Sequence, residues 1–468
     1  MQPLIYKSLL VFLCFGYICV QSQEEIVTFT KNDGLTSVLI TASHVDSKGI
    51  VWIGTSNGLN AYTGAEWIPI KHIDDNKSGY VKPFGIVHDI FEDLNANIWV
   101  SSDKGLFLYN RKYWTYFEPE GDTDYTVGEF FQDRSGAVWM SHEYFQDLNE
   151  DMGFSMVSGK LQMYNNGRWY KFDNDLAGTA SLKFEELPKY FTSILQDRQG
   201  NMWFATLEGV FMFNGKEWSS FKKEELDANK IYDIIEDRNG TIWVATDNGV
   251  SRKRDENWEN FSKEHGLADD LAYRIIEDTQ GRIWAFSRKG TRFTGLSMFD
   301  GNKWNSYDDS ELHLKGEIEE LAWYNNDIIA FSNNGVSVFE EGKWKKFGKE
   351  DGLNGKNYSV IESYRRKDLW LAGNYGFYQY IDGNWKTLIE QTEKWKVLNI
   401  FRDKRGRVWL ATNKMGLFVF KKDGWDHYNK ENGLTDNHVS DIFEDRHRNI
   451  WVITKKGISK ISTINFTQ

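Results

Sequence analysis

A motif that recurs about every 44 residues constrains this chain more than any other feature. Each copy contains an apolar run, an Asp-x-x-Gly turn and a second run centred on an aromatic residue, as in the segment from Asp237 to Val250. Ten copies are present, and a spacing of about 44 residues is the size of one β-propeller blade. The central residues are Trp52, Trp99, Trp139, Trp203, Trp243, Trp284, Ile329, Trp370, Trp409 and Trp451.

Each copy predicts four strands. The first ends at the aspartate, the second holds the central tryptophan, the third begins with Gly-Val or Gly-Leu, and the fourth reads Trp-x-x-Phe, as in Trp218 to Phe221. In the turn, the aspartate accepts a backbone N–H two residues on, and the glycine adopts a positive φ. We expect the tryptophans to be core residues, with each indole N–H bonded to a backbone acceptor. Helical repeats would lack a turn signal every ten residues or so.

The two chain ends complement each other. The segment 26–35 matches the end of a repeat, 425–434, whereas the C-terminus stops after a third strand that begins at Gly457. We therefore predict an all-β fold, a β-propeller of about ten four-stranded repeats, closed by pairing of the N- and C-terminal strands. The alternative is a smaller ring with outlying blades, and its seam would fall in the degenerate copies between Gly316 and Trp385.

The first 22 residues predict a secretory signal peptide, with Lys7 before an apolar stretch and a cleavage site after Ser22. Residues 23–468 would then form the propeller, in the periplasm or outside the cell. The alternative is an uncleaved segment or a lipid anchor at Cys19. Cleavage would remove both cysteines and one lysine, changing the formal net charge from −12 to about −13. Such a charge disfavours nucleic acid and anionic membranes as partners, and no later stretch predicts a membrane helix.

The repeats resemble those of the two-component regulator propeller family. The resemblance rests on Asp33-Gly34-Leu35 followed by Asp46 to Leu59, and on Gly433-Leu434 followed by Asp445 to Ile458. In that family, such propellers are commonly the periplasmic sensor part of hybrid histidine kinases, many of them linked to polysaccharide use. Because no kinase or membrane helix follows the last repeat before Gln468, we expect the chain to bind a ligand and to signal only through a partner, such as a membrane sensor protein.

Long links between strands indicate where a ligand would bind. The link between the second and third strands is extended in the third copy, from Ser141 to Lys160, and the links 70–84 and 173–190 are also long. In a propeller these links open on one face, near the channel. The alternative is that they are surface loops without a ligand. The candidate ligand-face residues are His142, Tyr144, Phe145, Asp147, Tyr190, Phe84, His88 and His438.

Catalytic motifs do not stand out in the sequence. The nine histidines are scattered, no His-Glu-x-x-His or Gly-x-Ser-x-Gly pattern occurs, and the repeated aspartates have a structural role in turns. Acidic residues around Asp147 do not follow an EF-type calcium spacing. We therefore expect a binding or sensing module for an oligosaccharide, another small molecule or a protein, without cofactor or metal. The alternatives are a propeller lyase or glycosidase acting on extracellular polysaccharide, and a protein-interaction scaffold.

Overall fold

The computed structural model of the chain is an all-β propeller built from ten blades. The structure describes residues 23–74, 81–117, 126–143, 157–158, 162–165, 168–171, 190–255, 257–289, 292–307, 312, 318–324, 327–332, 335–340, 342–353, 360–364, 368–373, 376–381, 383–390, 395–421 and 424–464. The predicted signal peptide, residues 1–22, lies outside them.

Every blade is an antiparallel sheet whose strands pair in the order first, second, third, fourth. The first five blades are: blade 1, Ile40–Val45, Val51–Thr55, Gly58–Tyr62 and Trp67–Ile70; blade 2, Val87–Glu92, Ile98–Ser102, Gly105–Tyr109 and Trp114–Phe117; blade 3, Thr126–Gln132, Val138–Glu143, Gln162–Asn165 and Arg168–Lys171; blade 4, Tyr190–Gln196, Met202–Thr206, Gly209–Phe213 and Trp218–Phe221; blade 5, Ile231–Glu236, Ile242–Thr246, Gly249–Arg254 and Asn257–Phe261.

The remaining five blades complete the ring. They are: blade 6, Ala272–Glu277, Ile283–Lys289, Arg292–Phe299 and Trp304–Tyr307; blade 7, Ile318–Tyr324, Asp327–Ser332, Gly335–Glu340 and Lys343–Phe347; blade 8, Val360–Tyr364, Asp368–Gly373, Gly376–Ile381 and Asn384–Glu390; blade 9, Val397–Arg402, Val408–Thr412, Leu417–Lys421 and Gly424–Tyr428; blade 10, Val439–Glu444, Ile450–Thr454, Gly457–Ile464 and Gln23–Phe29. First strands of neighbouring blades contact each other in most joints, so they line the central channel.

Short helices and two small pairings supplement the blades. A hairpin of His72–Asp74 and Val81–Pro83 lies between blades 1 and 2, and Val157–Ser158 adds a fifth strand to blade 4. The helices are the 3₁₀ turns Lys31–Asp33, Lys263–His265, Lys349–Asp351 and Lys430–Asn432, and the α-helix Lys223–Leu226. Within the described ranges, no helix has the length and apolar character needed to cross a membrane.

Hydrophobic clusters close the ring at every joint. Each of ten buried clusters combines side chains from two adjacent blades, and together they join blade 1 to 2, 2 to 3, and so on around to 10 and 1. At the joint of blades 10 and 1, Phe29 stacks on Trp451 with ring centroids 5.9 Å apart, and Trp67 meets the same indole edge-on at 5.7 Å. The clusters support a single ten-bladed ring, and blades 7 and 8 are packed into it on both sides.

The chain ends pair as the sequence predicts. Gln23–Phe29 runs antiparallel to Gly457–Ile464 with seven residue pairs, from Gln23 opposite Ile464 to Phe29 opposite Ile458. The first strand of the described chain is thus the fourth strand of blade 10. This pairing satisfies backbone groups on both segments that an open sheet would expose.

The turn aspartates hold the central tryptophans through a direct bond. The Asp237 carboxylate accepts the backbone N–H groups of Asn239 at 2.8 Å and Thr241 at 2.9 Å through Oδ1, and the indole Nε1–H of Trp243 at 2.9 Å through Oδ2. The predicted backbone acceptor for the indole is therefore wrong. The carboxylate is the acceptor because a buried anion needs several donors, and the indole, six residues further along the chain, lies within hydrogen-bond distance.

We call this arrangement the carboxylate–indole clasp. Eight blades have it within the described part of the chain, with Oδ2 to Nε1 distances of 2.8–3.0 Å. Six of these turns carry a glycine with positive φ, such as Gly240 at 86°, whereas Ala96 and Arg448 take that conformation in blades 2 and 10. The pairs are Asp46–Trp52, Asp93–Trp99, Asp133–Trp139, Asp197–Trp203, Asp237–Trp243, Asp278–Trp284, Asp403–Trp409 and Asp445–Trp451.

A second polar contact ties each of several turns to the next blade. The backbone N–H after the turn aspartate donates to the side chain that precedes the aspartate of the following blade. Leu94 N–H, for example, donates to Gln132 Oε1 at 2.8 Å, and Arg238 N–H donates to Glu277 Oε2 at 2.9 Å. We call the end of the ring with these turns the turn face. The opposite end, with the second-to-third and fourth-to-first links, is the loop face, because antiparallel strands alternate in direction.

Candidate functional site

The loop face carries a ring of repeat-equivalent residues at the mouth of the channel. Five of them each directly precede a first strand, and their carbonyls accept an N–H from the second-to-third link of the same blade at 3.0–3.3 Å. We call these five residues the channel rim. They are Leu39, Ile86, Lys230, Lys396 and His438.

The channel rim differs in chemistry around the ring. Leu39 is 58% exposed and Ile86 is 41% exposed, so blades 1 and 2 present an apolar arc. Blades 5 and 9 present Lys230 and Lys396 at the same position. Exposed apolar side chains beside a channel mouth are typical of binding surfaces, whereas a purely structural rim has no need of them.

Buried hydrogen bonds fix the loops behind the rim. The Thr36 hydroxyl donates to Asn60 Oδ1 at 2.6 Å and lies 2.8 Å from the Thr55 hydroxyl, all three side chains being buried. Equivalent bonds join Ala268 N–H to Ser297 Oγ at 2.9 Å. Because the loops are tied to the blades through buried polar groups, the loop face is preorganised, which reduces the entropy lost on binding.

The insertion in blade 3 reaches the channel side of blade 4. Its described part, Val157–Ser158, pairs with Phe191 and Tyr190, the first residues of the innermost strand of blade 4. It therefore occupies a channel-facing edge, and the sheet of blade 4 has five strands. The insertion breaks the symmetry of the channel mouth beside the apolar arc.

Three of the predicted site residues, Tyr144, Phe145 and Asp147, lie outside the described residues. His142 lies opposite Val127 near the loop-face end of the second strand of blade 3. Tyr190 begins the first strand of blade 4 opposite Ser158. The backbone thus brings these last two positions to the same end of neighbouring blades, but their role in binding stays a prediction.

Phe84 belongs to the core and does not face solvent. Its side chain is fully buried and stacks on Phe107 with ring centroids 4.2 Å apart, with Trp114 edge-on at 5.2 Å. The long link before it forms the hairpin described above, and Lys82 Nζ lies 4.7 Å from the ring centre of Tyr116 on the outer strand of blade 2. The link therefore packs over blade 2, a contact that its polar composition does not reveal.

The predicted site residues His88 and His438 lie near the channel mouth in different sectors. His88 sits at a bulge in the first strand of blade 2, and its Nε2 is buried with no hydrogen-bond partner within the described residues. His438 is part of the channel rim, and its Nδ1 lies 3.1 Å from the carbonyl oxygen of Asn413 on blade 9. Among the described site residues, His88 thus has a buried ring nitrogen without a protein partner, whereas the Nδ1 of His438 has one.

Sequence reasoning missed Leu39 and Ile86. Aligning the residue that precedes each first strand would have placed them in one column with His438 and the two lysines. Their exposure, however, depends on how neighbouring blades approach, which the alignment does not give. Across the described ranges, no cluster of three or more histidine, cysteine or acidic side chains is arranged to hold a metal ion.

Comparisons with known proteins agree with the repeat. A sequence profile of the two-component regulator propeller family matches residues 186–208, 225–248 and 433–456. A histidine kinase, P4, from Formosa agariphila is 31% identical over 97 residues, which cover 20% of this chain and 7% of the kinase.

Solved structures with similar architecture are distant in sequence. The extracellular domain of a hybrid two-component system from B. thetaiotaomicron is 18% identical and matches 94% of this chain and 65% of its own, with a TM-score of 0.28. PorZ, a surface component of the type-IX secretion system of Porphyromonas gingivalis, is 14% identical over 91% of this chain and 68% of its own, with a TM-score of 0.33. This chain thus spans less than two thirds of the first of these structures and a small part of the kinase. The profile matches thus identify repeats of the two-component regulator propeller type in three segments of this ten-bladed chain.

Proposed function

We propose that this chain is an exported binding or sensing propeller whose ligand binds at the loop-face end of the channel, beside blades 1 to 4. The observation that carries the proposal is the asymmetry of that channel mouth. Leu39 and Ile86 form an exposed apolar arc there, and Val157–Ser158 lies along the inner edge of blade 4. If the channel mouth had no role in recognition, we would expect the same types of residue and link in every blade.

The chemistry of this sector suits an oligosaccharide or an extended peptide. Aliphatic side chains cover the apolar faces of either ligand, and His88 Nε2 offers a buried polar atom nearby on the same blade as Ile86. The loops are already held by buried hydrogen bonds, so binding requires little reorganisation. We propose recognition without catalysis, with any signal passed on by a partner such as a membrane sensor.

A thermal-shift screen of residues 23–468 against oligosaccharides, calcium and peptides tests the proposal, since a ligand that binds only the folded state raises Tm. For a hit, a Leu39→Ser/Ile86→Ser variant should lose about tenfold or more in affinity, the value expected when two apolar contacts are removed. Leu398→Ser is the matched control, because Leu398 is 38% exposed on the first strand of blade 9.

Two outcomes would contradict the proposal. Equal loss of affinity in the Leu398→Ser control would place the ligand elsewhere on the ring. Conversion of a polysaccharide at catalytic protein concentration would favour the enzyme alternative, and co-purification of a protein that depends on residues 143–159 would favour the scaffold.

Export is tested separately. The protein recovered from its native host should begin at Gln23 and fractionate with the periplasm or the medium. An intact chain in the cytoplasmic fraction would refute that part of the proposal without affecting the binding site.

A further inference from the structure

The turn face carries a group of exposed cations on the consecutive blades 9, 10 and 1. They lie on the turns between the first and second strands, at the end of the channel opposite to the site proposed above. Segments 402–407, 444–449 and 45–50 contain these turns, and their acidic side chains, those of the clasp aspartates and of Glu444, are buried. We call the exposed cations the basic sector. They are Lys48, Lys404, Arg405, Arg446 and Arg448.

The equivalent arginines of blades 4 and 5 are neutralised by the next blade. Arg198 donates to the carbonyl of Arg238 at 2.6 Å, and its Nε lies 3.9 Å from Glu236 Oε2. Arg238 donates in turn to Glu277 Oε1 at 2.5 Å. In both joints the carboxylate belongs to the residue that precedes the turn aspartate of the following blade. The repeat therefore has a fixed position for the counter-charge of a turn arginine.

At the joint of blades 10 and 1, an apolar residue occupies the position of this counter-charge. Arg446 is the turn arginine of blade 10, and Val45 stands where blade 6 has Glu277. A Cβ placed on Gly49 would lie 3.6 Å from Arg446 Cδ, so the arginine reaches over the turn that also carries Lys48. Its guanidinium forms no hydrogen bond or ion pair with the residues that the structure describes.

The rest of the basic sector has a single carboxylate beside it. Glu444 accepts the backbone N–H of Lys404 at 2.9 Å, and its Oε1 lies 3.8 Å from Nη1 of Arg448. The equivalent residue of blade 9 is Arg402, a further cation. Within the described ranges, the ammonium groups of Lys48 and Lys404 have no hydrogen bond or ion pair. These three turns therefore present more positive charge than their own side chains neutralise.

A concentration of like charge is unfavourable without counter-charge, because each cation raises the potential at the others. The chain has a formal net charge of −12, so the basic sector does not reflect a general excess of lysine and arginine. Guanidinium groups bind carboxylates in a matched geometry, which the fold itself uses between Arg238 and Glu277. An acidic partner would supply the carboxylates that this sector lacks.

The surroundings of the basic sector indicate the shape of that partner. Glu25 and Glu66 are exposed near the turn-face ends of the outer strands of blades 10 and 1. A flat anionic surface such as a membrane would meet these acidic side chains together with the cations. A narrow chain can follow the inner turns around the end of the channel and avoid them.

We propose that the basic sector is the docking surface for an extended segment of a partner protein that is rich in aspartate and glutamate. One carboxylate of the segment lies beside Arg446, where the fold lacks the equivalent of Glu277. Further carboxylates pair with Lys48 and Lys404 along the inner turns. The inference goes beyond the function proposed above, because it places ligand and partner at opposite ends of the ring, where both bind at the same time.

Fluorescence anisotropy of labelled hexaglutamate, titrated with the full propeller, tests the proposal. Hexaglutamine is the uncharged control peptide. At about 50 mM salt, hexaglutamate should bind at least about tenfold more tightly than hexaglutamine. Raising the salt to about 0.5 M should remove most of this difference, because ions screen the attraction between exposed charges.

A triple variant locates the binding surface. Neutralising three cations of the basic sector should weaken hexaglutamate binding about tenfold, since three exposed ion pairs are lost. The variant is Lys48→Gln/Lys404→Gln/Arg446→Gln. The control removes the same charge from exposed lysines on the third-to-fourth links of blades 2, 4 and 6, also on the turn face, and should keep the affinity within about twofold. It is Lys112→Gln/Lys216→Gln/Lys303→Gln.

A change at Val45 tests the missing counter-charge. Val45→Glu supplies the carboxylate from within the chain and should weaken hexaglutamate binding about threefold or more, because it competes for Arg446. Val45→Gln has the same length without the charge and should bind the peptide at least about threefold more tightly than Val45→Glu. Val45 is partly buried in the cluster that joins blades 10 and 1, and both variants lose that contact, so the difference between them reports the charge.

Several results would overturn the proposal. Equal losses of affinity in the two triple variants, or equal affinities of Val45→Glu and Val45→Gln, would each refute the docking surface. Dextran sulfate and phosphatidylglycerol vesicles are titrated in parallel, and binding of either without binding of hexaglutamate would assign the basic sector to a sulfated polymer or a membrane instead. Leu39→Ser/Ile86→Ser should leave hexaglutamate binding unchanged, so a failure here is distinguishable from a failure of the loop-face site. Circular dichroism of each variant confirms that it is folded.

Discussion

Replacing Asp237 by asparagine tests the carboxylate–indole clasp directly. The side chain keeps its size and one oxygen that accepts the turn amides. Its NH₂ group then faces the indole N–H of Trp243, and because both groups are donors, no hydrogen bond forms between them. Trp243 is 2% exposed, so water does not replace the lost acceptor. A buried donor left without a partner costs about 1–3 kcal/mol, and the loss of charge-assisted bonds adds about 1 kcal/mol, giving about 2–4 kcal/mol in the free energy of unfolding.

The magnitude converts into a measurable change. A chain of this length has an unfolding entropy of about 0.9 kcal/mol per kelvin, so the Tm should fall by about 2–4 °C. Calorimetry measures that shift, and urea denaturation measures the change in midpoint. Asp255→Asn is the control, because it makes the same chemical change on an exposed turn and should leave Tm within about 1 °C.

A double-mutant cycle assigns the effect to the bond. Trp243→Phe removes the indole N–H, and in that background Asp237→Asn should cost about 1–3 kcal/mol less than in the native protein. Additive effects of the two substitutions, or equal shifts in Tm for Asp237→Asn and Asp255→Asn, would refute the reasoning that this bond stabilises the blade.

Three further predictions follow from turns, closure and a buried histidine. Gly249→Ala should lower Tm by several degrees in calorimetry, since the added Cβ would lie 1.9 Å from a carbonyl oxygen. Gly215→Ala, where φ is also positive but the space is open, should lower Tm less. Deleting Gln23–Phe29 exposes the edge of blade 10, so the product should self-associate in light scattering while the complete chain does not. Burial lowers the pKa of His44 from its ordinary value of 6.5, although nearby carboxylates oppose the shift. The folded state therefore favours the neutral imidazole, and the free energy of unfolding should fall as the pH drops below about 6.5. His44→Phe should flatten the dependence of Tm on pH between 7.5 and 5. His447→Phe, a control at an exposed position, should leave that dependence unchanged.

Each of the three has an outcome that contradicts it. Equal losses of Tm for the two glycine variants would show that the close carbonyl does not matter. A monodisperse truncated protein with unchanged Tm would mean that the terminal strand is dispensable. A pH profile for His44→Phe that parallels the native one would assign the acid sensitivity to other groups.

Local pattern was sufficient for most of the fold. Strand order and the Asp-x-x-Gly turns follow from residues close together in the sequence, because a β-strand and its turn are specified by short-range chemistry. The pairing of the chain ends follows from comparing each end with the complete repeat. The acceptor of the indole was the exception. Asp237 and Trp243 are six residues apart, but their bond forms only when the hairpin folds and removes both groups from water, since a buried carboxylate then needs another donor.

The candidate sites depended more on tertiary structure. The unusually long links between strands indicated the loop face, and the described part of the blade 3 insertion lies at the channel edge. The burial of Phe84 against Phe107 and Trp114 and the exposure of Leu39 and Ile86 were not predictable, because each depends on packing between segments that are separate in the sequence.

The sequence by itself determined the repeat, the blade and the means of closure, since every copy carries its own turn and its own apolar strands. Only the tertiary structure decided what lies at each joint, because a joint is made by two copies whose substitutions are separate in the sequence and adjacent in space. Trp67 and Trp451, for example, belong to repeats at opposite ends of the sequence. Their rings meet edge-on at the joint of blades 10 and 1, with centroids 5.7 Å apart.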